Sequence, residues 1–319
     1  MTWWTARNLW KVGIPVLVLA AIVAFSWIRR SREKQPPRIV VILPSAINPY
    51  WIEVRRGAEE EANELGARAQ VHIESSQSMD AADQTALLNS FLSRQLADAL
   101  VLGPASDTDT VPTVAKYSDA GKPVVVIDTE LNPKEVASHH VNIAAFIGSD
   151  NIDGGRKAGA VMLEALKNVK SPRVLLLEGL PVHQSALDRA QGFREAIGKR
   201  AQIVAVNGEW SRDKAQELVA SKFSREHFDG IFGSNDEMAL GAITALKARN
   251  TPRAEWPIIV GFDATPDGLK ALASGDMYAT IAQDARGLGK RGVEDAFKAL
   301  SHDPSLVPKE MLAVIVRKQ

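Results

Sequence analysis

Short runs of branched apolar residues recur along the chain, and each ends on a polar side chain where a helix is predicted to begin. Residues 231–241, with the sequence I-F-G-S-N-D-E-M-A-L-G, show this pattern most clearly. The apolar start predicts a buried strand that leads to Asn235, and Asp236 is a plausible N-cap for the amphipathic helix that follows. Three further runs, residues 39–44, 123–127 and 258–262, lead in the same way to Asn48, Asp128 and Asp263.

Strands and helices alternate over residues 39–128 and again over residues 150–283. This alternation predicts an α/β fold with two doubly wound parallel sheets, one in each of two lobes that surround a cleft. Ligands of such sheets bind outside the carboxyl ends of the strands. The polar side chains at the strand ends are therefore predicted to face one crevice.

Length, charge and cysteine content narrow the function classes. A chain of 319 residues is too long for one typical core and suits two domains. Lys plus Arg and Asp plus Glu both number 38, and this zero net charge removes the electrostatic argument for a nucleic-acid partner. The absence of cysteine excludes disulfides, thiolate metal sites and cysteine nucleophiles.

The amino terminus carries a 17-residue stretch without a charged side chain, residues 12–28. Seventeen residues is the lower edge of a membrane span, and Trp3, Trp4, Trp10 and Trp27 flank it as interfacial residues do. We predict a membrane anchor, with a cleaved signal ending at the A-F-S motif of residues 24–26 as the main alternative and a buried core helix as the third. The heavier basic flank follows the stretch, which by the positive-inside rule favours a cytoplasmic body.

The residue types at the strand ends suit a sugar. Sugar hydroxyls donate and accept hydrogen bonds, and the C–H faces of the ring pack on aromatic planes. Each candidate also has a structural interpretation, because a strand-end Asp is often an N-cap, an aromatic pair is often core, and an Arg on a helix is often solvated. The candidate planes and polar partners are Tyr50, Trp51, Trp210, Asn48, Asp128, Arg189, Asn235, Asp263 and Gln283.

Catalytic and metal sites are less well supported by the sequence. Asp128 and Asp263 could form a glycosidase pair, but the sequence fixes neither their separation nor a raised pKa. His139 and His140 are adjacent and would diverge on a strand, so we predict no joint metal site. Phosphate-binding and hydrolase motifs are absent from the sequence. We therefore predict no enzyme activity, no metal and no cofactor.

Four motifs resemble, in order and spacing, the type I periplasmic binding proteins for sugars. They are N-D-E-M-A-L-G-A (235–242), V-G-F-D-A-T-P-D-G (260–268), A-T-I-A-Q (279–283) and S-D-N-I-D-G-G (149–155). The resemblance covers residues 38–319. It implies two lobes joined by a three-strand hinge near residues 149, 283 and 312. The first lobe would consist of residues 37–149 plus 284–312, and the second of residues 150–283 plus 313–319. Residues 1–36 would form a separate amino-terminal segment.

The resemblance also implies the site residues. By matching motif positions, the ligand contacts are Asn48, Tyr50, Trp51, Asp128, Arg189, Trp210, Asn235, Asp263 and Gln283. The ribose-binding members have an Arg directly after the strand-end Asp, where this chain has Thr129. Thr129 therefore joins the predicted contacts, and its smaller side chain predicts a roomier, less cationic pocket for a sugar other than ribose.

The function implied is capture of a monosaccharide, a pentose, hexose or related polyol, by a monomer that presents it to an ABC permease. The alternative is a membrane-tethered sugar sensor that signals to a separate kinase or chemoreceptor, although no signalling domain is recognisable in the sequence. The family implies a periplasmic or other extracytoplasmic body, and this implication takes precedence over the charge bias of the anchor. The sequence does not name the sugar.

Overall fold

The computed structural model describes residues 35–318 apart from Ser78. The predicted anchor, residues 12–28, lies outside these described residues. In the part of the chain that is described, no helix has both the length and the apolar character needed to cross a membrane. The chain from Arg38 onward forms one compact unit, which contains two sheets.

Each sheet has six strands, and the two sheets share one strand order. The first sheet runs, from edge to edge, β11 (Lys309–Leu312), β5 (Ile143–Ser149), β4 (Val124–Asp128), β3 (Ala99–Leu102), β1 (Arg38–Leu43) and β2 (Gln70–Ser75). The second sheet runs β12 (Ile315–Lys318), β10 (Ala279–Ala282), β9 (Ile258–Asp263), β8 (Gly230–Gly233), β6 (Arg173–Glu178) and β7 (Gln202–Asn207). We call the sheets, with the helices packed on them, the first lobe and the second lobe.

Helices cover both faces of each sheet, as the alternation predicts. Those of the first lobe are α1 (Pro49–Leu65), α2 (Ala81–Ser93), α3 (Val111–Asp119), α4 (Pro133–Ser138) and α10 (Ala285–Ser301). Those of the second lobe are α5 (Asn151–Ala165), α6 (Gln184–Ile197), α7 (Arg212–Phe223), α8 (Asp236–Ala248) and α9 (Pro266–Ala273). Short 3₁₀ turns lie at Gly66–Arg68 and Arg253–Glu255.

The central strands are buried on both faces, which explains their continuous apolar sequences, whereas the edge strands are partly exposed. In β1, Ile39 and Val41 pack toward α1 and α10, whereas Val40 and Ile42 pack toward α2 and α3. Successive side chains of a strand point to opposite faces, so a strand between two helical layers has no solvated side. The same division holds in the second lobe, whose sheet separates two apolar clusters.

Glycines allow the close crossing of α1 and α10. A Cβ on Gly289 would lie 1.9 Å from the Val54 carbonyl oxygen, and one on Gly57 would lie 1.9 Å from the Arg286 carbonyl oxygen. Glycine in a helix costs roughly 0.5–1 kcal/mol relative to alanine. Here it lets the two backbones touch, which anchors α10 across β3, β4 and β5.

One prediction about local structure was wrong. Asn235, rather than Asp236, is the N-cap of α8, because its Oδ1 accepts from the Met238 amide at 2.9 Å and Asp236 is already helical. The second sheet is not wholly parallel, since β12 pairs antiparallel with β10. Asp150 and Thr265 are the N-caps of α5 and α9, since each side chain accepts from a backbone N–H three residues ahead.

The chain passes between the sheets at three places. It leaves the first sheet after Ser149, returns from the second sheet after Ala282, and passes over again between Leu312 and Ile315. The lobe boundaries and hinges assigned from the sequence near these places stay predictions. The carboxyl ends of the parallel strands from both sheets meet at one cavity.

Candidate functional site

One cavity between the lobes gathers the polar strand ends. It has about 400 Å³ of empty space, part of which is open to solvent. All ten side chains predicted from the sequence line it, and four more join them. The lining residues are Asn48, Tyr50, Trp51, Met79, Pro104, Asp128, Thr129, His183, Ser185, Arg189, Trp210, Asn235, Asp263 and Gln283.

Asp128 ends β4 and is held by its neighbours on both carboxylate oxygens. The Tyr50 hydroxyl donates to Oδ1 at 2.6 Å, and the Thr129 hydroxyl donates to Oδ2 at 3.0 Å. Burial and then the Asp128 charge raise the pKa of Tyr50 well above its usual range, so its phenol keeps the proton. The carboxylate is therefore oriented before any ligand arrives.

Asp263 ends β9 and occupies the matching position in the second sheet. Gln283 Nε2 donates to its Oδ1 at 2.6 Å, and Arg189 Nη1 lies 3.6 Å from the same oxygen. Burial raises the pKa of Asp263 well above its usual range, and the Arg189 charge opposes that rise. A ligand that donates hydroxyl hydrogens to this carboxyl would favour its ionised form.

Arg189 is buried rather than solvated, with 4% of its surface exposed. Its Nε donates to Asn151 Oδ1 and its Nη1 donates to the Ser234 carbonyl oxygen, both at 2.8 Å. The guanidinium also lies 3.9 Å from the centre of the Phe262 ring. These contacts fix a cationic fork on α6 at the wall of the cavity, where it can hold oxygen atoms.

Three residues of the site have positive φ angles. Asp128 has φ 71°, Asp263 has φ 108° and Trp210 has φ 59°. Left-handed conformations are costly for residues other than glycine, by about 1–3 kcal/mol each, and they concentrate at functional sites. All three of these residues line the cavity.

Two tryptophans, one from each lobe, provide the apolar walls, and each sits on a glycine. A Cβ on Gly103 would lie 2.7 Å from the Trp51 ring, and one on Gly179 would lie 2.1 Å from the Trp210 ring. Tyr50 meets Trp51 edge to face, with ring centres 5.2 Å apart. The absence of a side chain at these glycines lets the indoles lie against the strand ends.

The two asparagines of the site also cap helices. Asn48 Oδ1 accepts from the Tyr50 amide at 2.9 Å at the start of α1. Asn235 caps α8 with its Oδ1 and donates through Nδ2 to the Trp210 carbonyl oxygen at 3.3 Å. The capping interpretation therefore holds for both residues, although both still line the cavity.

A model of the periplasmic binding protein domain matches residues 39–304. The chain belongs to the periplasmic binding protein family. This assignment confirms the resemblance to type I sugar-binding members and agrees with the two α/β lobes described above. Members of the family are substrate-binding proteins rather than enzymes.

Relatives of this chain include proteins named for the binding of ribose and of allose. The ribose import binding protein of Haemophilus influenzae is 34% identical over 268 residues, which cover 82% of this chain and 85% of that protein. The D-allose-binding periplasmic protein of Escherichia coli is 28% identical and covers 80% of this chain and 81% of its own length. An ABC transporter solute binding protein from Burkholderia multivorans has a TM-score of 0.81 at 27% identity, covering 89% of this chain and 99% of that one.

Four residues of the binding protein's cavity were missed in the sequence. His183 and Ser185 follow β6 in the same way that Asn48 follows β1, so the strand-end pattern contained a signal for them. Pro104 follows Gly103 after β3 and offers no polar group. Met79 lies in the loop before α2 yet packs against the apolar cluster of the second lobe, and no sequence pattern indicates that contact.

Proposed function

We propose that this binding protein captures a monosaccharide, a pentose, a hexose or a related polyol, between its lobes and delivers it to an ABC permease. The observation that carries the proposal is the convergence on one cavity of carboxylates, amides, an arginine and aromatic rings. Such a set matches the alternating hydroxyls and apolar C–H faces of a sugar. The relatives named for ribose and allose support the same class of ligand.

Gln283 offers an open hydrogen-bond position in this cavity. Its Nε2 donates to Asp263, but its buried Oε1 has no partner among the described residues. An unpaired buried acceptor costs roughly 1–3 kcal/mol. A sugar hydroxyl that donates to Oε1 would remove this cost, and so the amide favours a hydroxyl-bearing ligand over an apolar one.

A thermal-shift screen of pentoses, hexoses, deoxysugars and polyols tests the proposal. A ligand at about 100 times its Kd should stabilise the protein by about 2.7 kcal/mol. Asp128→Ala and Asp263→Ala should abolish the shift, because each removes an oriented acceptor at the end of a strand. Asp119→Ala, which changes an exposed carboxylate at the end of α3, should retain it. Equal ligand shifts in all variants would contradict the assignment of the site.

We further propose that the lobes are extracytoplasmic and that residues 12–28 tether them to the cytoplasmic membrane. The support is the uncharged stretch with its flanking tryptophans, together with the family membership. The full chain should then fractionate with membranes and keep its amino terminus. A mature chain that begins at Trp27 by intact-mass analysis would replace the tether with a cleaved signal.

A further inference from the structure

His183 joins the two lobes from within the loop between β6 and α6. Its ring is buried, with 4% of the residue exposed, and both of its nitrogens have partners. Nε2 lies 2.9 Å from the Ala105 carbonyl oxygen of the first lobe, and Nδ1 lies 2.9 Å from Trp210 Nε1 of the second. His183 therefore links an aromatic wall of the cavity to the opposite lobe.

The two partners determine where the imidazole proton lies. An indole N–H can only donate, so Nδ1 must accept and cannot carry a proton. A carbonyl oxygen can only accept, so Nε2 must carry the proton and donate. Only one neutral tautomer meets both requirements, and Trp210 is the residue that selects it.

We propose that His183 is a positioning residue for sugar binding. In its neutral form, His183 holds Trp210 in the cavity and links Trp210 to Ala105 of the first lobe. The inference rests on the proposed function, because Trp210 is taken as a wall for the sugar. His183 itself has no free ring nitrogen to offer a ligand. Its effect on affinity is exerted through Trp210 and through lobe closure.

The residues on either side of His183 make two more contacts with the first lobe, one from the loop and one from the first turn of α6. Ser185 Oγ lies 3.0 Å from Thr129 Oγ1, and the Val182 carbonyl oxygen lies 3.5 Å from the Asp107 amide nitrogen. Neither of these two contacts involves a group that changes charge. Among the three, only the His183 link responds to protonation.

Protonation of His183 would place an N–H on Nδ1 opposite the indole N–H. Two donors cannot satisfy each other, so Trp210 would lose its partner while the Ala105 contact survives. Among the described residues, four charged groups lie in this region. Asp107 interacts with the His183 charge, and the Arg189 guanidinium lies 5.4 Å from the centre of the Trp210 ring. The other two are the carboxyls Asp128 and Asp263, which line the cavity. Because burial raises the pKa of Asp107 and of Asp263, the contribution of His183 must be isolated with a variant.

His183→Gln provides that variant. A glutamine amide can accept from Trp210 and donate to Ala105 at similar separation, but it does not titrate. The indole ¹H–¹⁵N resonance of Trp210, identified by its loss in Trp210→Phe, is followed in the sugar-free full chain from pH 8 to pH 5. It should move with pH by more in the wild type than in His183→Gln, which retains only the contribution of the nearby carboxyls. A resonance that does not move in the wild type, or moves equally in both proteins, overturns the proposal.

Calorimetry with D-ribose and D-allose as probes gives the second readout. His183→Ala should weaken binding by about tenfold at pH 7.5, because a buried indole N–H is left unpaired. His183→Gln should restore affinity to within about threefold and show a smaller loss between pH 7.5 and pH 5.5 than the wild type. Ser185→Ala, which removes the neighbouring contact between lobes, should keep the wild-type pH dependence. If neither sugar binds, the resonance titration still decides the inference, and only the proposed ligand fails.

Discussion

Asp236 offers a direct test of how a buried carboxyl shapes the stability of the second lobe. It is fully buried at the start of α8 and accepts from the Thr265 amide at 2.7 Å, the Thr265 hydroxyl at 3.1 Å and the Thr280 hydroxyl at 2.7 Å. Burial raises the pKa of Asp236 to about 7, although these three hydrogen bonds oppose the rise. The perturbation that we consider is Asp236→Asn, which has a similar shape and cannot ionise.

The pKa fixes the sign and the window of the effect. Between pH 3.8 and pH 7 the carboxyl is ionised in the unfolded chain and still protonated in the folded one. The unfolded state then binds fewer protons, so the free energy of unfolding falls as pH rises through this window and levels off above pH 7. A shift of about three pKa units corresponds to about 4 kcal/mol. The difference between Asp236→Asn and wild type should grow by that amount from pH 4 to pH 8.

Urea unfolding at a series of pH values measures this difference, because every other titrating group is shared by the two proteins. Asp267→Asn is the matched control. Its carboxyl is exposed, and the hydrogen bond from Lys270 lowers its pKa, so this variant should show no such growth. If the stability difference between Asp236→Asn and wild type is the same at pH 4 and pH 8, the buried carboxyl does not retain its proton and the reasoning is refuted.

Three further substitutions test the cavity walls, each by calorimetry with the identified sugar and by circular dichroism for the fold. Gly179→Ala should weaken binding by at least about tenfold, because a Cβ would lie 2.1 Å from the Trp210 ring and displace it; unchanged affinity would mean that this ring is not a contact. Thr129→Val should cost about 0.5–1.5 kcal/mol of binding through the lost contacts with Ser185 and Asp128, and a neutral result would show that this hydroxyl does not aid binding. Arg189→Lys should weaken binding more than Thr129→Val does, since a lysine cannot reproduce two fixed donors, and equal affinity would argue against a role for the fork.

The sequence predicts most of the fold because the central strands are buried on both faces. Their continuous apolar runs stand out from the helices, and the polar residue after each run marks the carboxyl end. Two long elements were missed. β5 contains Ala144, Ala145 and Gly148, which are poor strand formers, and α10 contains three glycines that lower its helix propensity. Pairing with the neighbouring strands determines β5, and packing against α1 determines α10. The local sequence pattern does not reveal either of these contacts.

The antiparallel pairing of β12 could not be predicted for a similar reason. The last two strands are each four residues long and lie at the edges of different sheets. Only the two residues Ala313 and Val314 separate β11 from β12, so β12 begins where the parallel strand β11 ends, beside the cleft, and runs away from the cleft, opposite to β10. Val314 packs into the core of the second lobe, and the short link therefore ties the two sheets together.

The candidate site shows how the repeated strand order extends what the sequence can predict. β4 and β9 are third in their sheets and end on Asp128 and Asp263, which the sequence identified together. β1 and β6 are both fifth, so the loop after β6 is the counterpart of the loop that carries Asn48. Like Asn48, His183 directly precedes a helix at the same spacing from the end of its strand, and Ser185 follows in the first turn of α6. Comparing the loops that follow strands at equal positions in the two sheets would have identified His183 and Ser185. This comparison has a physical basis: in parallel sheets of the same order, strands at equal positions present their carboxyl ends to the same cleft, whatever residues follow.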